Sequence, residues 1–503
     1  MKRRGGTVSI LVSTVSAMAL AGCGGGLEVA SEGEGLADTE AGETEAAEER
    51  RWEPCSLEPE RVKDIYRGAA SSNPTELTHA DGTLLFAADD GAHGRELWKS
   101  SGTQGPGTKK VKDIRPGPAG SDPELLTRVG DTVFFTADDG TTGRELWKTD
   151  GTRSGTKRVK DIYPGPAGSE PESLIEFNGL LYFAADDGVH GREVWRSDGT
   201  PGGTFMVRDL TTEPGAENRS FEMAVAGDYL YIQYYVATPD LSIADLVFWS
   251  TDGTAAGFEE LIRTGEDNTI DEMTEVGGRL FFSRNIDEPD EYLYVSDGTA
   301  AGTVSIRRFP GPLNGLTEFK GKLYFASGHD FDTAPPDYRG DELWKSDGTL
   351  AGTVMVKDIR PGAEDSSPRG LVASNGYLYF SADDGVHGRE PWRSDGTTAG
   401  TVLLKDVEPG ATGSSPEELT AIYGWLFFSA ETSGHGREPW VSNGTTAGTV
   451  PLEEIAPGAA SSNPRDFVRS GWDVFFSAEN ARKGRELYAL PFRPEGECNG
   501  DDH

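Results

Sequence analysis

Tyr377-Leu378-Tyr379-Phe380-Ser381, Asp383-Asp384-Gly385-Val386-His387-Gly388, Arg389-Glu390-Pro391-Trp392-Arg393 and Ser394-Asp395-Gly396-Thr397 follow one another, with only Ala382 between them. The first and third segments are short, aromatic or β-favouring, and read as strands. The second and fourth are rich in Asp and Gly and read as tight turns. Upstream, 369–374 is a further strand, joined to Tyr377 by Asn375-Gly376, a strong hairpin signal. Downstream, 401–407 is a fourth strand, and 408–416 is a Pro/Gly loop. One unit is therefore four short antiparallel strands.

This unit is written nine times. Its aromatic anchors are Trp98, Trp147, Trp195, Trp249, Tyr294, Trp344, Trp392, Trp440 and Tyr488. Four strands repeating every 40 to 50 residues or so are the signature of a propeller blade. The expected fold is all-β: a β-propeller of four-stranded antiparallel blades, about nine in number. The repeated body begins with Arg61-Val62-Lys63-Asp64-Ile65, which matches a fourth strand, and ends after a third, 485–490. The N-terminal strand is thus expected to complete the last blade. Closure brings Cys55 and Cys498 together, and a disulfide between them is expected in an oxidising compartment.

The phrases Glu96-Leu97-Trp98-Lys99-Ser100-Ser101-Gly102-Thr103, Glu145-Leu146-Trp147-Lys148-Thr149-Asp150-Gly151-Thr152 and Glu342-Leu343-Trp344-Lys345-Ser346-Asp347-Gly348-Thr349 resemble the ELWxxDGT repeat of surface and secreted proteins, notably of myxobacteria. The resemblance covers roughly residues 60 to 490. Trp is replaced by Tyr at 294 and 488, Leu by Pro at 391 and 439, and the turn Asp by Ser101 and Asn443. The resemblance implies a repeat-built extracytoplasmic protein and no particular activity.

The N-terminus reads as an address. Lys2, Arg3 and Arg4 precede an uncharged apolar stretch at 7–20, too short to cross a membrane comfortably. Leu20-Ala21-Gly22-Cys23 resembles the lipobox of bacterial lipoproteins. That resemblance implies a signal peptide over 1–22, cleavage before Cys23, a diacylglycerol on its sulfur and an N-linked acyl chain such as palmitate. Gly24, where enteric bacteria place Asp for inner-membrane retention, favours the outer membrane. Residues 23–54 then form an acidic tether with ten acids against Arg50 and Arg51. Such a segment cannot bury enough apolar surface to fold and would span about 30 Å. The expected domains are this leader and tether, a single propeller over 55–498 and a tail at 499–503.

Composition narrows the partners. The chain has 503 residues, 36% of them apolar, with 66 glycines and a formal net charge of −37. The acidic balance argues against nucleic acid, whose phosphates it repels. Motifs present in every unit read as scaffold: the Asp-Gly-Thr turns as hydrogen-bonded turns, the Trp side chains as packing between blades rather than as platforms for glycans. The Asp-Asp-Gly turns offer oxygen ligands of the kind Ca²⁺ takes. Asp138, Asp139, Asp186, Asp187, Asp383 and Asp384 are the candidates, though the alternating acids of well-known calcium loops are missing. The alternative is a structural turn whose Asp pairs with a following Arg such as Arg192 or Arg389. His93, His190, His387 and His435 share one repeat position, which disfavours a catalytic histidine there.

Variation between units points elsewhere. The links between second and third strands of units four to six depart from the repeat and hold Tyr235, Asp240, Asp287, Glu288, Asp290, His329, Asp330, Asp337, Tyr338 and Arg339. Binding residues concentrate on such loops over rigid scaffolds. The expected function is that of a lipid-anchored, non-catalytic scaffold or adhesin at the cell envelope, binding a protein or glycan, with no catalytic residue and no required cofactor. Two alternatives stand beside it: a carbohydrate-active hydrolase or lyase, and a calcium-dependent adhesion protein.

Overall fold

A computed structural model describes residues 51–210, 217–237, 244–264, 268–287, 290–328 and 339–498. Contacts divide the chain into Met1–Glu49 and Arg50–His503. Every described strand, the ring closure and the disulfide lie in the second unit, which thus contains all that its folding uses. No helix occurs among the described residues.

Nine antiparallel sheets form nine blades, as the repeat count predicts. Blade 1 consists of Thr75–Ala80, Thr83–Asp89, Arg95–Ser100 and Lys109–Lys112, in that order across the sheet. The first strand of each blade touches the first strands of both neighbours, and the circle closes from Arg465–Ser470 of blade 9 to Thr75–Ala80 of blade 1. First strands therefore surround the axis. The antiparallel order puts the second-to-third links and the inter-blade links at one end, here called the mouth. The first-to-second turns and the Asp-Gly-Thr turns lie at the other, here called the turn face.

The second strands are buried through their central residues, because a middle strand is covered by a blade on each side. Leu85 and Leu97 of blade 1 pack with Val133, Phe135 and Trp147 of blade 2, and equivalent clusters fill the other interfaces. Each fully buried aromatic of this kind contributes about 2–3 kcal/mol.

The N-terminal segment completes blade 9. Glu60–Arg61 and Trp52–Pro54 both pair with Gly484–Pro494, the former through Arg61 opposite Tyr488. The Cys55–Cys498 disulfide ties the two ends together.

Two repeated side-chain devices hold the blades to one another. The anchoring Trp residues are packed between blades, with Trp98, Trp147 and Trp195 each 6% exposed. A cation from the fourth strand of the preceding blade, or from just beyond its end, lies over each of several rings: Lys63 over Trp98, Lys112 over Trp147, Lys160 over Trp195, Lys357 over Trp392 and Lys405 over Trp440. The second device went unread in the sequence. The Glu of the repeat, seemingly a surface residue, is buried and gathers the link to the next blade. Glu96 accepts the Ile114 and Arg115 N–H groups, both at 3.0 Å, and the Ser121 hydroxyl at 2.7 Å. Glu145, Glu342, Glu390, Glu438 and Glu486 do the same.

Candidate functional site

The Asp-Gly-Thr turns are closed by their own side chains. Asp347 Oδ1 accepts the Thr349 N–H at 3.0 Å and its hydroxyl at 2.7 Å, and Thr349 Oγ1 accepts the Gly352 N–H at 3.0 Å. A Cβ at Gly352 would overlap the Asp347 carboxylate, which explains the Gly five residues after the Asp.

The Asp-Asp-Gly turns are closed in a similar way. Asp186 Oδ1 accepts the Gly188 N–H at 2.7 Å. Asp187 Oδ1 accepts the Val189 and His190 N–H groups at 2.9 Å, and its other oxygen contacts His190 Nδ1 at 2.8 Å. Asp384 treats Val386 and His387 alike. Asp139, where Thr replaces His, binds Thr141 and Thr142. The hydrogen bonds hold the carboxyls of Asp139, Asp187 and Asp384 below the usual range against the opposing effect of burial, which is the largest single influence. Contact with the Asp in turn raises the His190 and His387 imidazoles. The expected Asp–Arg pairing needs correction. Arg192 and Arg389 stand opposite Asp186 and Asp383 in register, but the ion pairs of the first Asp go to the preceding blade link: Arg115 to Asp138 at 2.6 Å and Arg360 to Asp383 at 3.2 Å. The following Arg turns toward the axis instead. Among the described residues, no three His, Cys, Asp or Glu side chains are grouped as metal ligands.

Of the variable-loop candidates, Asp240, Glu288, His329, Asp330, Asp337 and Tyr338 lie outside the described residues, as does the side chain of Asp287. Tyr235 is half-buried on a second strand, and burial pushes its phenol up. Asp290 is 8% exposed and ion-paired with Arg308. Arg339 pairs with Asp358 at 3.5 Å. Cys23 also lies outside the described residues.

The mouth holds a different arrangement. In all nine blades one first-strand residue stands just before a register shift: Thr75, Glu124, Glu172, Arg219, Asp271, Asn314, Arg369, Glu417 and Arg465. A residue at or next to the start of the third strand, which is Arg95, Arg144, Arg192, Arg389, Arg437 or Arg485 in six blades, reaches across the second strand toward it. In blades 2, 3 and 8 the two form ordinary ion pairs: Arg144–Glu124 at 3.2 Å, Arg192–Glu172 at 3.6 Å and Arg437–Glu417 at 3.5 Å.

Blades 5, 7 and 9 break the pairing. In blade 7 the facing residues are both arginines. Arg389 Nη1 donates to Ser381 O at 3.1 Å, and Arg369 is the cross-strand partner of that serine. In blade 9, Arg485 Nη1 donates to Ser477 O at 3.3 Å, and Arg465 pairs with Ser477. Burial lowers the Arg389 and Arg485 guanidiniums from their usual range, and the charges of Arg369 and Arg465 lower them further. In blade 5 the facing residues are both acids, Asp271 and Glu291. Burial raises the Glu291 carboxyl, and the charges of Asp271 and Glu272 add to the rise. Glu222 of blade 4 is raised by burial and by the same Asp271. The mouth thus has buried acids at blades 4 and 5 and paired arginines at blades 7 and 9, with Asp466 and Glu418 beside the pair in blade 9. Sequence reading missed this because it treated repeat-equivalent charges as uniform.

A serine–histidine contact exists but is placed for packing. His79 Nδ1 lies 3.0 Å from Ser470 Oγ across the junction of blades 1 and 9, and Ser470 is 2% exposed.

No protein-family model matches the chain, and no curated protein matches its sequence. Solved structures do match the fold. A puromycin hydrolase is 15% identical with a TM-score of 0.37, over 72% of this chain and 59% of that one. A puromycin-hydrolysing peptidase of Mycobacterium tuberculosis is 10% identical with a TM-score of 0.38, over 75% and 61%. The β-propeller domain of the Trilobed protease of Pyrococcus furiosus is 13% identical with a TM-score of 0.33, over 66% and 97%. This chain therefore spans about three-fifths of the first two. Likeness at this level concerns the fold alone. The proteins named are peptide hydrolases or a protease's propeller, not the non-catalytic scaffold or adhesin that was expected. That expectation is withdrawn.

Proposed function

We propose that this propeller receives free-ended peptides at its mouth, as the substrate-engaging part of a peptide-hydrolysing system. One observation carries the reading: the reversal of charge at a single repeat position, acid facing acid in blade 5 and arginine facing arginine in blades 7 and 9. A zwitterionic chain satisfies both poles. Its ammonium end relieves the repulsion around Asp271 and Glu291, and its carboxylate bridges Arg369 and Arg389 or Arg465 and Arg485. Guanidiniums suit a carboxylate because their paired N–H groups match its two oxygens.

Calorimetric titration with free-ended peptides of graded length tests this. Amidating the C-terminus is expected to weaken binding about tenfold, or roughly 1.4 kcal/mol, and Arg369→Gln with Arg465→Gln is expected to abolish that sensitivity. Acetylating the N-terminus and Asp271→Asn form the matching pair at the other pole. Peptide binding indifferent to both caps, or no binding at all, sinks the reading.

The same proposal places the protein, as an ELWxxDGT-type lipoprotein, at the cell envelope, anchored through acylated Cys23. The Leu-Ala-Gly-Cys tetrad supports this, and so does a disulfide, which persists in oxidising compartments. Metabolic labelling with palmitate, lost in Cys23→Ser, is its test.

A further inference from the structure

The turn face is not uniform around the ring. Blades 2 to 7 each present the Asp of the Asp-Gly-Thr turn there: Asp150, Asp198, Asp252, Asp297, Asp347 and Asp395. Blade 1 has Ser101 in its place and blade 8 has Asn443. In blade 9 the third strand, Gly484–Pro494, runs on through Leu490-Pro491 and makes no such turn. Three adjacent blades thus lack the carboxylate that the other six carry.

Aromatic side chains are exposed in that same sector. Tyr423 and Trp472 occupy the first-to-second turns of blades 8 and 9 and are 55% and 51% exposed. The equivalent turns elsewhere hold polar residues or glycine, such as Asp81-Gly82, Asn178-Gly179 and Asn375-Gly376. Tyr423 is held at φ 46°, a left-handed conformation that Asn tolerates better than Tyr does. Trp52 is wedged between the two, its ring centroid 5.0 Å from Tyr423 and 5.7 Å from Trp472. Two cations complete the patch. The Arg469 guanidinium lies over Trp52 at 4.1 Å and Tyr423 at 4.5 Å, and that of Arg493 lies over Trp472 at 5.3 Å. The described chain also begins here, where the Glu495 N–H donates to Arg51 O at 2.7 Å. Arg51 is thus the point at which the described residues continue into the preceding segment that carries Cys23.

We propose that the blade 8–9 sector of the turn face is a membrane-contacting surface. It seats Tyr423 and Trp472 at the headgroup level of a bilayer and turns Arg469 and Arg493 toward lipid phosphate. Tyr and Trp favour that depth because their rings are apolar and their O–H and N–H groups stay wet. The preceding segment carries Cys23, so the lipoprotein reading, on which this choice of occupant rests, selects a bilayer over a soluble partner. The proposal is independent of the peptide reading, which concerns the opposite end of the ring.

Co-flotation of residues 50–503 with vesicles of phosphatidylcholine, with and without about one-third phosphatidylglycerol, tests it. Binding is expected on the anionic vesicles and weaker binding on the neutral ones, with a blue shift of Trp emission. The variant Tyr423→Asn with Trp472→Asp restores side chains that the repeat uses at these turns. It is expected to keep its melting temperature and lose at least three-quarters of the bound fraction. Lys345→Gln, elsewhere on the turn face, is expected to bind as the parent does. Unchanged binding by the double variant overturns the proposal. So does failure to float in both vesicle types, including the case in which the protein instead binds purified envelope polysaccharide.

Discussion

Lys112 Nζ lies 5.4 Å from the centroid of the Trp147 ring, and the same ammonium donates to Thr156 O at 2.7 Å. Lys112 belongs to the fourth strand of blade 1, whereas Trp147 and Thr156 belong to blade 2. One side chain therefore joins two blades by a cation–π contact and a charge-assisted hydrogen bond. The latch recurs at Lys63, Lys160, Lys357 and Lys405.

Lys112→Met keeps the aliphatic stem and removes both polar contacts. Removing a half-buried cation–π pair and a charge-assisted bond is expected to cost about 2 kcal/mol. Urea unfolding followed by Trp fluorescence measures it. A change below about 0.5 kcal/mol would show the latch to be ornamental.

Burial raises the Glu342 and Glu486 carboxyls to about 7 despite the N–H and hydroxyl groups bonded to them. The folded chain therefore holds these protons more tightly than the unfolded chain, in which Glu titrates near 4.5. Stability from this source is complete below about pH 4.5 and is lost as pH rises through about 7. The melting temperature is expected to be higher at pH 5 than at pH 8, and Glu342→Gln is expected to narrow the gap. Equal melting temperatures at the two pH values would refute the assignment.

Cys55 and Cys498 join segments 443 residues apart. Replacing both by Ser is expected to destabilise the ring by about 2–4 kcal/mol, chiefly through the freed unfolded chain. Hydrogen exchange should show Trp52–Pro54 and Glu60–Arg61 losing protection before any other strand. Uniform loss across all blades would count against the closing role.

Gly352→Ala sets a methyl group against the Asp347 carboxylate that closes its turn. A cost of about 1–3 kcal/mol is expected. Added Ca²⁺ is expected to leave both the parent and this variant at the same melting temperature. A calcium-induced rise in the parent would revive the metal reading of the aspartates.

What was legible in the sequence follows from locality. The strands Arg369–Ser374, Tyr377–Asp383 and Arg389–Ser394 stand within six-residue turns of one another, so alternation and turn chemistry reveal them directly. Nine repeats of that pattern imply a ring, because a four-stranded blade leaves two apolar faces that only neighbours can cover. The 61–65 segment and the two cysteines announced the closure for the same reason: they are the pieces the last unit lacks.

Other features depend on which residues the ring brings together. Glu96 looks like a surface residue until the link 114–121 folds back over it. Arg369 and Arg389 are 20 positions apart, and only the strand register, shifted by a bulge, makes them face. Trp52, Tyr423 and Trp472 come from three separate stretches and meet only because the first strand of the chain completes the last blade. The blade, its repetition and its closure are legible in the residues alone, because they follow from short-range patterning. Where charge is reversed and where aromatic rings are exposed emerge only once the ring is closed, because those properties belong to pairs of distant residues and to the uneven circumference of the ring.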